Sequence, residues 1–229
     1  MRRVLLLVAA GAAALAVAGT ADATHECKGF QVCVRVAGPW VLSPSRVETH
    51  WQLSCPKGFI VGGLDAELTT RALDLAFRAT LGSPVNPGIS TSTAAVFLGR
   101  LVVGRDPAAS FRPHLGCIPA SGGGARIPTA RHRVYPPAHP TVLRASALRV
   151  FAGATRHVTR ACRAGERLVA SSHAIGFYAK QPPAGAVAHA VRVLRKTERG
   201  RVTVTIHGGP AVRRVRAVVQ LDLLCAGGG

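Results

Sequence analysis

Apolar and polar positions alternate most cleanly toward the C-terminus. Val202, Val204 and Ile206 alternate with Thr203, Thr205 and His207, a period of two that predicts a strand. Upstream, Val191 and Val193 share one side with Arg192 between them, and Thr197-Glu198-Arg199-Gly200-Arg201 has the composition to join the two segments as a hairpin. The last stretch puts Val215, Ala217, Val219, Leu221, Leu223 and Cys225 on one face and Arg214, Arg216, Gln220 and Asp222 on the other, which predicts that Cys225 points inward. Nearer the N-terminus, Leu73, Leu75 and Phe77 alternate with Asp74, Ala76 and Arg78 as in a strand. Leu64, Leu68, Ala72, Leu75 and Ala79 also have helical spacing, so residues 64–79 read either way. Gly82 to Gly88 is dense in turn formers and predicts a loop, and residues 121–140, rich in Gly and Pro, predict an interdomain linker.

The cysteines turn this pattern into an architecture. Cys27, Cys33, Cys55, Cys117, Cys162 and Cys225 allow 15 pairings. Cys55 and Cys117 are 62 positions apart and Cys162 and Cys225 are 63 apart, so the two pairs repeat at an offset of 107 to 108. The surrounding text repeats as well. Cys55-Pro56-Lys57-Gly58 and Cys162-Arg163-Ala164-Gly165 each lead into a short apolar stretch and two small residues, and His50 and His157 each lie five residues before the front Cys. A duplicated domain closed in each copy by its own bridge accounts for these matches together. Cys27 and Cys33 have no counterparts in the second copy and are expected to pair with each other. A zinc site is not expected, because the chain has no Cys-x-x-Cys and no Cys/His quartet at zinc spacing. The expected fold class is all-β: two tandem disulfide-closed β-sandwich-like domains arising from an internal duplication, over 24–120 and 141–229.

The stretch from Trp51-Gln52-Leu53-Ser54-Cys55-Pro56-Lys57-Gly58 through Gly62-Gly63-Leu64-Asp65-Ala66 resembles a segment of secreted β-rich proteins of high-GC bacteria. The resemblance implies an extracytoplasmic location and a β fold; no activity comes with it. The second copy departs from the pattern, with Arg163 in place of Pro56 and Ala170-Ser171 in place of the glycine pair.

The first residues point to export. Met1-Arg2-Arg3 is followed by an apolar run from Val4 to Gly19 and by Ala21-Asp22-Ala23, a small-x-small pattern, so residues 1–23 read as a signal peptide cut before Thr24. Beyond it, no apolar run approaches the roughly 18 residues that a spanning helix needs, and no transmembrane span is expected in the mature chain. Secretion also fits the expectation of paired cysteines.

Charge changes the picture further. The 229 residues carry 29 Lys and Arg, all but four of them Arg, against 10 acidic residues, for a net +19. Such a surface attracts polyanions, and anionic cell-envelope polymers or lipid headgroups are the expected partners. The arginines gather at Arg126, Arg131 and Arg133; at Arg192, Arg195, Lys196, Arg199 and Arg201; and at Arg213, Arg214 and Arg216. Arg192, Arg195, Arg199, Arg201, Arg213, Arg214 and Arg216 are the candidate binding residues, because the guanidinium fork suits phosphate and carboxylate. No aromatic residue interleaves these clusters in the sequence, so specific nucleic-acid recognition is not expected. A high-GC coding habit supplies Arg as well, which leaves a structural or interaction module with incidental charge as an alternative.

Chemistry is sparse. There is no Gly-x-Ser-x-Gly elbow, no phosphate loop, no His-Glu-x-x-His and no calcium loop, so no cofactor is expected. His132 and His139 are metal ligands on paper only, since Arg131 and Arg133 flank His132. The remaining catalytic candidates are Asp65 and Glu67, which share a face if they lie on a strand and would serve as the acid and base of an extracellular glycan hydrolase. The plainer reading pairs Asp65, Glu67 and Asp74 with Arg71 and Arg78. Ligand identity and oligomeric state are not legible in the sequence.

Overall fold

A computed structural model describes residues 24–78, 93–120 and 141–227. The expected leader, the 82–88 loop, the linker with Arg126, Arg131, His132, Arg133 and His139, and the last two residues lie outside the described residues. The all-β expectation holds. The first half contains β1 (Val34–Ala37), β2 (Trp40–Leu42), β3 (Thr49–Ser54), β4 (Phe59–Leu68), β5 (Leu73–Arg78), β6 (Ala94–Leu101) and β7 (Ser110–Pro119). The second contains β8 (Thr141–Arg149), β9 (Thr155–Ala161), β10 (Glu166–Tyr178), β11 (Val191–Glu198), β12 (Arg201–Gly208) and β13 (Arg216–Gly227), with a 3-10 helix, Pro210–Arg214, before β13. The segment that read either way, 64–79, is strand through Leu68 and again from Leu73 to Arg78.

One antiparallel sheet runs through both halves. β4 pairs with one edge of β7, and β1 and β2 follow one another along the other edge. β2 then passes the ladder to β10, with Trp40 opposite Phe177 and Val41 opposite Gly176, and β10, β13 and β8 continue it. Two three-stranded sheets flank this one: β3-β6-β5 and β11-β12-β9. Strand order and direction place them on opposite faces. β4-β7-β2 and β10-β13-β8 occur in the same order, yet β4 and β10 run in opposite directions along an all-antiparallel ladder. A half-turn about an axis across the strands relates the two triplets, and such a turn exchanges faces. The side chains agree, because Val41 and Val218 pack with Trp51 and Phe97, while Leu42 and Val219 pack with Val204 and Ile206.

The correspondence extends to irregularities. The β4–β7 ladder has a bulge after Val61, which faces Cys117, and the β10–β13 ladder has one after Leu168, which faces Cys225. Gly58 and Gly165, each three residues after its front Cys, both take positive φ. The three disulfides are Cys27–Cys33, Cys55–Cys117 and Cys162–Cys225, as the spacing predicted.

One feature departs from expectation. The face of β13 predicted to be polar and outward is buried at Gln220 and Asp222, and β3 meets it at Gln220. Gln220 spends both ends of its amide there, donating from Nε2 to the Gln52 carbonyl (2.9 Å) and accepting the Gln52 N–H at Oε1 (2.6 Å). Gly63, on the small pair after Cys55, also has a specific cause. A Cβ on it, or on Gly116 opposite, would collide with the carbonyl oxygen of Glu26, so the glycines let the N-terminal segment lie against the sheet. At the corresponding second-half pairing stand Ala170 and Leu224.

Candidate functional site

The second half concentrates the charge. Residues 141–227 contain 15 Lys and Arg against three acids, while residues 24–120 contain nine against six. Of those three acids, two are committed to ion pairs. Glu166 takes a two-pronged contact from Arg144 and accepts the Arg163 N–H (2.9 Å), and the Arg144 bonds with that N–H hold its carboxyl down at about 2. Glu198 pairs with Lys196 at 2.6 Å. The third, Asp222, is buried, and burial pushes its carboxyl up to about 7.

The folded chain divides the predicted arginines. Arg213, Arg214 and Arg216 come together with residues from another part of the chain. Pro210 opens the 3-10 helix, Val212 anchors it in the core, and Arg213 and Arg214 point to solvent. The turn between β8 and β9 is clipped beside it by Gly153 N–H to Gly208 O (2.6 Å), Gly208 N–H to Ala154 O (3.1 Å) and Val150 N–H to Ala217 O (3.0 Å). The result is a groove of about 420 Å3 with Arg149, Arg213, Arg214 and Arg216 in its walls and Phe151 and Val212 at its base. Among the described residues no carboxylate lines it. Phe151, 46% exposed, carries the guanidinium of Arg149 at 5.3 Å and that of Arg156 at 5.9 Å, and Arg156 also donates to the Arg149 carbonyl (3.2 Å). Arg216 lies 4.7 Å from the ring of Tyr178. Sequence adjacency had suggested arginine clusters without aromatics; the fold supplies Phe151 and Tyr178 from distant segments, and each ring has a guanidinium group over it.

The fold divides the other predicted cluster between two faces. Register places Arg192, Lys196 and Arg201 on the outer face of β11-β12-β9, with Arg199 at the hairpin tip. Arg195 is on the opposite face of β11, and its guanidinium donates to the Ser171 carbonyl. Residues 201 and 208 stand at opposite ends of β12, roughly 24 Å apart, so the hairpin tip is remote from the groove. The outer face between them carries side-chain pairs across β9 and β12: Thr155 with His207 (3.0 Å), His157 with Thr205 (2.9 Å) and Thr159 with Thr203 (2.9 Å).

Asp65 and Glu67 share a face of β4, as the strand reading requires. Asp65 accepts the His25 N–H at Oδ2 (2.6 Å) and the Ala66 N–H at Oδ1 (2.8 Å). Glu67 Oε1 lies 2.7 Å from His114 Nε2 and 3.5 Å from Arg112 Nη1. Asp74 is paired with Arg100 (3.0 Å) rather than with Arg71 or Arg78. The only close group of three metal-ligand atoms among the described residues is Cys162, Glu166 and Cys225, whose sulfurs are joined in a disulfide and whose carboxylate is held by Arg144. Trp40 and Trp51 are core residues. Among the described residues no helix is long and apolar enough to cross a membrane. In comparisons with protein-family models, curated proteins and solved structures, the chain has no match.

Proposed function

We propose that this is an exported, non-enzymatic β protein that holds an anionic cell-envelope polymer in the groove formed by Arg149, Arg213, Arg214 and Arg216. The observation that carries the reading is the composition of that groove: four guanidinium groups, two elements fixing their backbones, and no carboxylate among the described residues that line it. Such a site favours a chain of repeated negative charges, because each fork engages a phosphate or carboxylate in two directions at once. Export rests on the leader-like residues 1–23, and the three disulfides are compatible with an oxidising compartment. The two halves, with one strand order and matching bulges, are read as copies of one ancestral domain that have diverged in charge. A hydrolase using Asp65 and Glu67 has less support, since one carboxylate caps backbone N–H groups and the other is tied to His114 and Arg112.

The test is retention of the oxidised protein, residues 24–229, on purified envelope and on a neutral polysaccharide across a stepped salt series. Binding is expected on the envelope only, falling steeply as salt rises. Arg213→Glu/Arg214→Glu/Arg216→Glu is expected to weaken it by about tenfold or more, by analogy with charge pairs at interfaces, while Arg192→Glu/Arg201→Glu has the smaller effect. Equal retention of the triple variant, or no retention of the parent protein at low salt, rejects the reading.

A further inference from the structure

The first-half counterpart of the arginine groove is a different kind of surface. The segments that build the groove, after β8 and before β13, correspond in strand order to the loops after β2 and before β7. Those loops are clipped together by Leu101 N–H to Ser45 O (2.9 Å), Asp106 N–H to Pro44 O (3.2 Å) and Ser43 N–H to Ala109 O (2.8 Å). Val102 N–H bonds to Ala72 O (2.9 Å), which brings in the loop after β4. Three valines project from this end: Val47 is 75% exposed, Val102 59% and Val103 64%. Val102 and Arg46 line one shallow depression, so the two valine-bearing loops present a common surface.

We propose that this end of the first half docks on an anionic lipid bilayer, with Val47, Val102 and Val103 entering the headgroup–acyl boundary. Three observations select a bilayer over a protein partner. The valines stand on loops held by backbone hydrogen bonds, and the depression beside Val102 is shallow and lined by Arg46, Asp74, Arg100 and Leu101, which leaves no apolar groove for a helix or strand. Gly104, with a positive φ, makes the turn that leaves Val102 and Val103 at the apex. Exposed Arg46, Arg71 and Arg105 surround them and have no carboxylate partner among the described residues, which is the charge complement of anionic headgroups. The acids at this end are occupied locally: Glu48 bonds His50 (2.6 Å), Asp74 bonds Arg100, and Asp106 caps the Ala108 N–H (2.9 Å). Because the half-turn relating the halves reverses strand direction, the valine loops and the arginine groove open in opposite directions along the strands, both close to the β2–β10 junction, where Val41 faces Gly176 and Arg149 faces Val218. The docking itself does not depend on the polymer reading.

The experiment is co-sedimentation of the oxidised protein, residues 24–229, with vesicles of phosphatidylcholine alone and of phosphatidylcholine mixed with phosphatidylglycerol. Val102→Ser/Val103→Ser is expected to reduce binding to the mixed vesicles by about fivefold or more, in keeping with the loss of two apolar anchors. Its envelope-polymer retention and circular dichroism should match the parent. Val103→Trp is expected to bind and to shift its emission to the blue on mixed vesicles, reporting entry of the loop. Undiminished binding by the serine variant, or a Val103→Trp signal unchanged by vesicles, overturns the proposal. Loss of vesicle binding in Arg213→Glu/Arg214→Glu/Arg216→Glu but not in the serine variant also overturns it, by assigning lipid contact to the groove. A dimer that dissolves in the serine variant would assign the valines to a second copy instead. Failure of polymer retention with vesicle binding intact would reject the groove and leave this proposal standing.

Discussion

At the scale of single residues, the most consequential feature is a carboxylate in the wrong solvent. Asp222 sits in the middle of β13, 1% exposed, with neither oxygen hydrogen-bonded among the described residues. Ser172 lies opposite on one side and Ala145 on the other. Burial raises its pKa from 3.8 to about 7, so between those values the folded chain binds a proton that the unfolded chain releases. Its contribution therefore runs opposite to that of a salt-bridged Asp: the cost is absent below the unfolded pKa and grows as pH rises to about 7. His173 lies on the other face of the adjacent β10. Burial, with Arg195 nearby, lowers its pKa below 6.5 and costs stability as pH falls below that value. Asp222→Asn keeps the shape and removes the ionisation. Its stability gain over the parent should be near zero around pH 4 and reach a few kcal/mol at about pH 8. Urea unfolding at stepped pH reads this directly, and a gain independent of pH would mean that the carboxylate is solvated or paired.

At the scale of elements, the β11–β12 hairpin shows how far local sequence reaches. Arg199 (φ 48°) and Gly200 (φ 73°) both take positive φ, the pattern of a two-residue type I′ turn. Asn is favoured over Arg at the first position, so Arg199→Asn is expected to stabilise the protein by about 0.5 kcal/mol. Because Arg199 is far from the groove, envelope retention should be unchanged; a loss of retention would return the hairpin tip to the binding surface. This turn, the inward face of β13 and the disulfide spacing were legible because each depends on residues close in sequence or on a repeated interval. Three other features depend on which surfaces meet. The outward-reading Gln220 is clamped to Gln52 of β3, some 170 positions earlier, and Asp222 on the same face is buried too. Gly63 and Gly116 answer to Glu26, which only the fold brings against them. The groove joins Arg213, Arg214 and Arg216 to Arg149, Phe151 and Arg156, whose stretch carries no cluster of its own. Strand alternation signals one buried face, and it is silent when a second sheet covers the other.

At the scale of the whole molecule, the two disulfide-closed halves share structure that independent beads on a linker would not. The central ladder crosses from β2 to β10, and Ala174 and Val218 belong to the first-half core. At the crossing, a Cβ on Gly176 would strike Pro39 and Trp51, so the two chain segments touch at backbone distance. Gln220 adds a two-bond clamp to β3. Unfolding the second half would thus expose part of the first-half core and strip a ladder edge, which couples their stabilities. Trp40 and Trp51, the only tryptophans, both lie at this crossing and report the first half, whereas far-ultraviolet circular dichroism reports all strands. The Cys162–Cys225 bridge is confined to the second half. Cys162→Ala/Cys225→Ala should cost about 2–5 kcal/mol, and with coupled halves the tryptophan and dichroism midpoints should move together in a single transition. If the tryptophan midpoint stays at the parent value while dichroism splits into two steps, the β2–β10 junction contributes too little to join the halves. The valine-bearing loops and the arginine groove would then belong to separately stable units.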